Sequence, residues 1–208
     1  MPSESEVPEA SNLTFIRGDI RKLVGEHPRL NFGSADFVYN RLLLCGMTDW
    51  PGYVRDVFKL LKPGGWAEMA DYVEDVFYND NRIVPRDEWE WLRSIRAGGL
   101  RQGLDLDAGL NIRRYMEDAG FVDIQTWDYR IPFWKAASEE RPETRKITEH
   151  AIGDPWGLYW HMIPQLLAGM NHSQEHIGRL RMDMRRDLAE EEGKEQLYCV
   201  TIGRKPGT

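Results

Sequence analysis

Three groups of residues in this chain have types and spacing that could do chemistry. Asp71 and Tyr72 end an apolar run that begins at Trp66, and Glu68 lies within that run. A carboxylate or phenol at the carboxyl end of a strand lines the crevice where open α/β sheets hold ligands, so Asp71 or Tyr72 is a candidate general acid or base. Trp66 and Glu68 are candidate substrate contacts beside them. Asn40 and Arg41 follow the apolar run Ala35–Tyr39 in the same way. A guanidinium there can bind a carboxylate or enolate, and an amide can orient it. The third group is Trp156, Tyr159, Trp160 and His161, a pocket for a flat apolar ligand with His161 as proton shuttle. Each group has a structural reading as well. Asp71 could be a solvated loop carboxylate and Tyr72 a packing ring, Arg41 could hold its loop through an ion pair, and the aromatic run could be a helix packed on a sheet. His172–His176 matches H-x-x-E-H, but it sits where a helix should begin, with Ser173 as cap, and reads as a solvated helix face.

These groups need elements to position them. Leu13–Ile16 reads as a strand followed by a Gly18-Asp19 turn, and Ala35–Tyr39 as a strand buried on both faces. Asp49 caps a helix with Pro51 in its first turn, and Lys62-Pro63-Gly64-Gly65 stops it. Trp66–Val73 is the next strand. A helix opening at Pro85 weakens at Gly98-Gly99, and another over Asp107–Ala119 closes at Gly120. Phe121–Ile131 and Gln196–Ile202 are strands, and 142–170 and 173–192 are helical, the former broken at Asp154-Pro155. Alternating strands and helices predict an α/β sheet with helices on both faces. Residues 1–11 read as a disordered lead-in, and 12–208 as one domain.

Composition narrows the class. A net charge of −7 argues against a nucleic-acid or anionic-membrane partner. No apolar run reaches the length of a bilayer span and the start is acidic and polar, so the expected location is cytoplasmic. Cys45 and Cys199 lie in apolar segments and read as buried free thiols. No residue set suggests a metal site.

Asp36-Phe37-Val38-Tyr39, Asp49-Trp50, Leu61-Lys62-Pro63-Gly64-Gly65-Trp66 and Glu68, in this order, resemble fungal class I S-adenosylmethionine (SAM) methyltransferases of the LaeA-like family. Tyr115–Phe121 resembles the helix before that family's sixth strand, and Val200–Pro206 its last strand. The resemblance implies a Rossmann-like sheet ordered 3-2-1-4-5-7-6, with the aromatic run near Trp156 in substrate-covering helices. It places Leu13–Ile16 at strand 3, Asp19 and Ile20 beside the adenine, and Asn40–Leu42 beside the methionine. Strands 1 and 2 and the glycine-rich loop between them have no counterpart, so the cofactor contacts at Asp19 and Ile20 would be vestigial. Without strand 1, Ala35–Tyr39 would be an uncovered edge. Either Leu13–Ile16 moves beside it, or a second copy or a complete methyltransferase relative pairs with it.

Three functions follow from the resemblance. The first expectation is a catalyst without SAM, performing a cyclisation, dehydration or pericyclic step on a small apolar natural product of fungal secondary metabolism. The second is a SAM-dependent methyltransferase completed by a partner chain or an N-terminal segment. The third is a non-catalytic regulatory or interaction subunit.

Overall fold

The structure is a computed structural model that describes residues 12–79, 81–132, 146, 154–188 and 194–207. The lead-in expected over 1–11 lies outside these residues, as does most of 142–153. The described elements are α1 (Ile20–Leu23), β1 (Ala35–Arg41), α2 (Trp50–Leu60), β2 (Leu61–Asn79), β3 (Arg82–Ile83) and α3 (Glu90–Arg101). They continue with α4 (Ala108–Ala119), β4 (Val122–Pro132), α5 (Asp154–Leu166), α6 (Gln174–Asp187) and β5 (Glu195–Arg204).

The sheet is five-stranded, in the order β1-β2-β5-β4, with β3 as a short hairpin on β2. β1 runs parallel to β2, while β5 is antiparallel to both its neighbours. An antiparallel last strand inserted between the second and fourth positions is the order 4-5-7-6 that the resemblance implies. The mixed α/β expectation therefore holds. Among the described residues no strand lies beyond β1, and Leu13–Ile16 is not a strand. Leu13 and Phe15 are 53% and 66% exposed, so this β-prone segment has neither ladder nor core to fix it.

Local chemistry explains the element ends. Asp49 Oδ1 accepts the Gly52 N–H at 2.9 Å, capping α2 as expected. Gly120 takes the left-handed conformation (φ 95°) that ends α4. The Lys62–Gly65 turn bulges within β2, and Gly64, at φ 80°, donates to the Lys205 carbonyl at 3.0 Å. Gly98 and Gly99 were expected to weaken a helix end, yet both are buried inside α3. A Cβ on Gly98 would strike the Leu166 carbonyl, so the glycine permits close approach of α3 and α5.

The two faces of the sheet differ. One carries Val38 and Asn40, Ala67, Met69, Asp71 and Val73, and Cys199 and Thr201. It is sealed by α2 and α4. A Cβ at Gly109 of α4 would lie 2.9 Å from the Asp71 carbonyl, which measures how tightly that layer sits. The core continues from Met69 to Phe77, Trp91, Tyr159 and Ile163 in the layer of α3, α5 and α6. The other face carries Phe37 and Tyr39, Trp66 and Tyr72, Tyr198 and Val200, and Trp127 and Tyr129. Phe37, Tyr39, Trp127 and Tyr129 are 41–55% exposed there. β1 is thus buried on one face, not on both.

Candidate functional site

The carboxyl end of β1 meets β2 at Asp71, which is 1% exposed. Its Oδ2 accepts the backbone N–H groups of Leu43 (2.7 Å) and Leu44 (2.9 Å), and its Oδ1 accepts that of Tyr72 at 3.0 Å. Leu42, at φ 56°, turns the chain out of β1 so that those amides point at the carboxylate. Burial pushes the Asp71 carboxyl up to about 6, and the three amides oppose that rise. The geometry makes Asp71 the anchor of the loop after β1. It positions Asn40 and Arg41, and its oxygens are spent on amides.

Asn40 is 8% exposed, and both polar atoms of its amide are buried without a hydrogen-bond partner among the described residues. The Tyr53 phenol of α2 is its neighbour: burial pushes that phenol up to about 12, while the Asn40 amide pulls it down. The two lie outside normal hydrogen-bond geometry. An orphaned buried amide costs about 1–3 kcal/mol, so its retention points to a missing partner. Tyr53 also lines an open polar depression of about 400 Å³ between α1 and α2, together with Asp19, Arg21, Lys22, Asp49, Gly52 and Asp56. Asp19 caps α1 and accepts from Arg21 Nε and Nη2, both at 3.2 Å. Arg21 holds its carboxyl below the usual range. Ile20 is half-buried beside it.

The remaining predicted residues separate by face. Arg41, Glu68, Trp66 and Tyr72 share the open face with Tyr39 and Tyr198, where Tyr72 and Tyr198 pack edge-on at 4.9 Å. Asp71 and Asn40 point the other way, so the structure splits neighbours in sequence between two sides of the sheet. Trp156 lies in α5, with its side chain outside the described residues. Tyr159 is fully buried against Trp91 (5.1 Å) and Phe77 (6.0 Å). Trp160 is half-buried under the Arg181 guanidinium, 4.6 Å from its ring. His161 is exposed on the outer side of α5. The aromatic run is therefore helix packing, because its 3.6-residue period turns Tyr159 and His161 to different sides. His172 and His176 stack at 4.7 Å, and His176 Nδ1 meets Arg179 at 2.7 Å.

Sequence reasoning missed a buried polar group around Glu74. Glu74 is 2% exposed, and Oε1 has no hydrogen-bond partner among the described residues. Its backbone carbonyl accepts from the Tyr159 hydroxyl and from Gln196 Nε2, both at 3.3 Å. Gln196 Nε2 also donates to the Tyr159 hydroxyl at 2.8 Å. Burial pushes the Glu74 carboxyl up to about 8, with the Asp71 charge adding to the rise. Cys45, expected buried, is exposed as a residue, while its Sγ turns inward to Met162 Sδ at 3.8 Å. Burial of that sulfur, with Glu74 and Asp71 nearby, pushes the thiol up to about 12. The sequence carried no signal for this group: β2 slips between Tyr72 and Phe77, which carries Glu74 inward where simple alternation puts it out.

With this geometry in place, a family model described as a methyltransferase domain matches residues 6–126. The chain belongs to the methyltransferase-domain family. Among curated proteins, methyltransferase pytC of Aspergillus terreus is 26% identical over 125 residues, covering 59% of this chain and 36% of its own. Methyltransferase cpsF of Aspergillus campestris is 29% identical over 186 residues, covering 87% and 63%. The chain thus spans between about one third and two thirds of the length of these relatives. Among solved structures, Haemonchus contortus phosphoethanolamine N-methyltransferase 2 superposes at a TM-score of 0.42 and 15% identity, covering 84% of this chain and 34% of that one.

The family implies SAM, and the described residues fit one side of it. The orphaned Asn40 amide at the end of β1 is a polar cradle that a bound group would complete. Asp19 is already committed to Arg21, and no glycine-rich strand–loop–helix occurs among the described residues.

Proposed function

We propose that this chain forms the β1–β5 half of a SAM-dependent methyltransferase acting on a small apolar molecule. In this reading Asn40 and the Asp71-anchored loop hold the methionine end of the cofactor. The glycine-rich half of the cradle comes from polypeptide other than the described residues. The resemblance to LaeA-like enzymes suggests a product of fungal secondary metabolism as substrate. The buried Asn40 amide, which has no hydrogen-bond partner among the described residues, carries the reading, because such a group is expensive unless a ligand meets it. Catalysis without SAM ranks second. Glu74 offers it a buried acid near neutral pH, but Tyr159 is spent on packing and lines no described apolar cavity. A nuclear magnetic resonance titration with SAM tests the first reading. The Asn40 side-chain amide is expected to shift with saturation, even if affinity is only about 1 mM, and Asn40→Leu should remove that response. An Asn40 amide that stays unmoved up to about 5 mM SAM sinks the reading.

A further inference from the structure

Glu74 is buried among acids. The slip in β2 turns it toward α5, where it is 2% exposed and its Oε1 meets no donor among the described residues. The titratable groups that face it are Asp71 of β2, Cys45 of the loop after β1 and Tyr159 of α5. All three are acids, and none supplies positive charge. β5 adds the uncharged Gln196, whose Nε2 donates to the Tyr159 hydroxyl and to the Glu74 carbonyl. The segment before α4 adds the Leu106 carbonyl, which accepts the Glu74 N–H at 3.0 Å, and α3 adds the Trp91 ring against Tyr159. Cations of the neighbouring elements are engaged elsewhere: Arg181 of α6 lies on Trp160, and Arg130 of β4 pairs with Glu195 of β5. A proton suits a carboxyl in such a layer, and a bare charge does not.

α5 is fastened at one end and interrupted just before it. Gln102 Nε2 of the segment after α3 donates to the Gln165 and Leu166 carbonyls, both at 3.0 Å, and Gly98 lies close against Leu166. Pro164 stands inside the helix ahead of that anchor. It has no N–H for the Trp160 carbonyl, which accepts Arg181 Nε at 2.8 Å instead. The part of α5 before Pro164 carries the two side chains that reach the Glu74 region. The Tyr159 hydroxyl donates to the Glu74 carbonyl at 3.3 Å, and Met162 Sδ covers Cys45 Sγ at 3.8 Å.

We propose that Glu74 is a proton-operated latch on α5. With its proton in place, the helix closes over the end of β2 and the loop after β1. When the proton passes to water, the unpaired charge drives Tyr159 and Met162 away about Pro164, and the carboxylate is hydrated. The loop uncovered is the one that Asp71 anchors after Asn40 and Arg41, so the latch sets how firmly that end of β1 is walled. It does not depend on the methyl-transfer reading. The sign is fixed by linkage. The Glu74 carboxyl stands at about 8 when closed over, and an exposed glutamate titrates at about 4.3. The open fraction therefore grows with pH between these limits, by about tenfold per unit over most of the span, and levels off above about pH 8.

Alkylation of the full chain with N-ethylmaleimide, followed at each cysteine by mass spectrometry, tests the latch. Cys45 is the reporter, because α5 covers its sulfur and burial holds its thiol at about 12. Divided by the rate of free cysteine at the same pH, its modification should rise about five- to tenfold between about pH 6.5 and about pH 7.5 and level off above about pH 8. Glu74→Gln, which keeps the shape of the protonated acid, should hold the rate nearly flat over that interval. Asp71 does not blur this comparison, since its carboxyl, at about 6, has largely lost its proton there. Cys199 gives a readout that needs no variant. It is fully buried in β5 and opens only with the whole sheet, so Cys45 should react about a hundredfold faster or more. A flat Cys45 rate in the parent, a rise that survives Glu74→Gln, or equal rates at the two cysteines would each overturn the proposal.

Discussion

The same strands build two unlike surfaces. On the helix-covered face, β2 presents Ala67, Met69, Asp71 and Val73, each no more than 1% exposed, and the polar member is tied to three amides. On the opposite face, one residue out of step, the sheet presents Trp66, Tyr72, Tyr198, Trp127 and Tyr129, which keep part of their rings in water. Hydrophobicity alone does not distinguish the two faces, since the open one is the richer in aromatic rings. What differs is the second layer. Where α2 and α4 pack on the sheet, close contact reaches the backbone, as at Gly109. Where no described helix packs, the rings lean on one another and stop there. Among the described residues the sheet thus has one finished, helix-covered face and one open face.

The largest predicted effect attacks the finished side. Trp91 is fully buried between Trp89 (5.5 Å), Phe77 (6.0 Å) and Tyr159 (5.1 Å). Trp91→Ala should cost about 3–5 kcal/mol in chemical denaturation, the range of a large cavity in a packed core. Asp71→Ala comes next. It strands the buried Leu44 N–H and those of Leu43 and Tyr72, and should cost about 2–3 kcal/mol. Asp71→Asn keeps an acceptor and should recover part of that loss. If Asp71→Ala leaves stability unchanged, the loop after β1 is anchored by something else.

The pH dependence follows with a definite sign. Asp71 and Glu74 have carboxyls raised to about 6 and about 8. A raised carboxyl binds its proton more tightly in the folded chain than in the unfolded one. The stabilisation is full below the ordinary carboxylate range and is lost as pH climbs through about 6 for Asp71 and about 8 for Glu74. Thermal melts should therefore show the protein losing stability from mildly acid to alkaline pH. Glu74→Gln should abolish the upper step and leave the variant more stable than the parent at about pH 9, by about 1–2 kcal/mol. A parent whose Tm rises over that interval would contradict the burial of Glu74.

Element boundaries were legible because their signals are local: a cap at Asp49, a stop within a few residues of Lys62–Gly65 and a left-handed Gly120 bound elements near where expected, whereas the strand order came only from the family resemblance. The site was legible only at its anchor points. Asp71 and Asn40 were singled out in the sequence and lie buried where β1 meets β2, but Asp71 is a loop clamp where a free acid was expected, because backbone amides leave no trace in side-chain spacing. Tyr159 and His161 were grouped by adjacency, whereas a helix sends them to opposite sides. Glu74 was invisible because a register slip reversed its face. Leu13–Ile16 has strand composition and no partner, and propensity without a neighbour does not make a strand.

The smallest predicted effect is the sharpest test of the comparison. Trp127 carries the same side chain as Trp91, but it stands on the open face of β4 at 41% exposure. Much of its ring is already solvated in the folded chain, so truncation returns little area to water and leaves no enclosed cavity. Threonine preserves the strand preference for a branched Cβ, and Trp127→Thr should cost about 0.5 kcal/mol or less. The ratio of the two tryptophan effects then measures the second layer, since the residue type is common to both. A loss at Trp127 approaching that at Trp91 would mean that the aromatic face is covered in solution. It would remove the distinction between the two sides of this sheet.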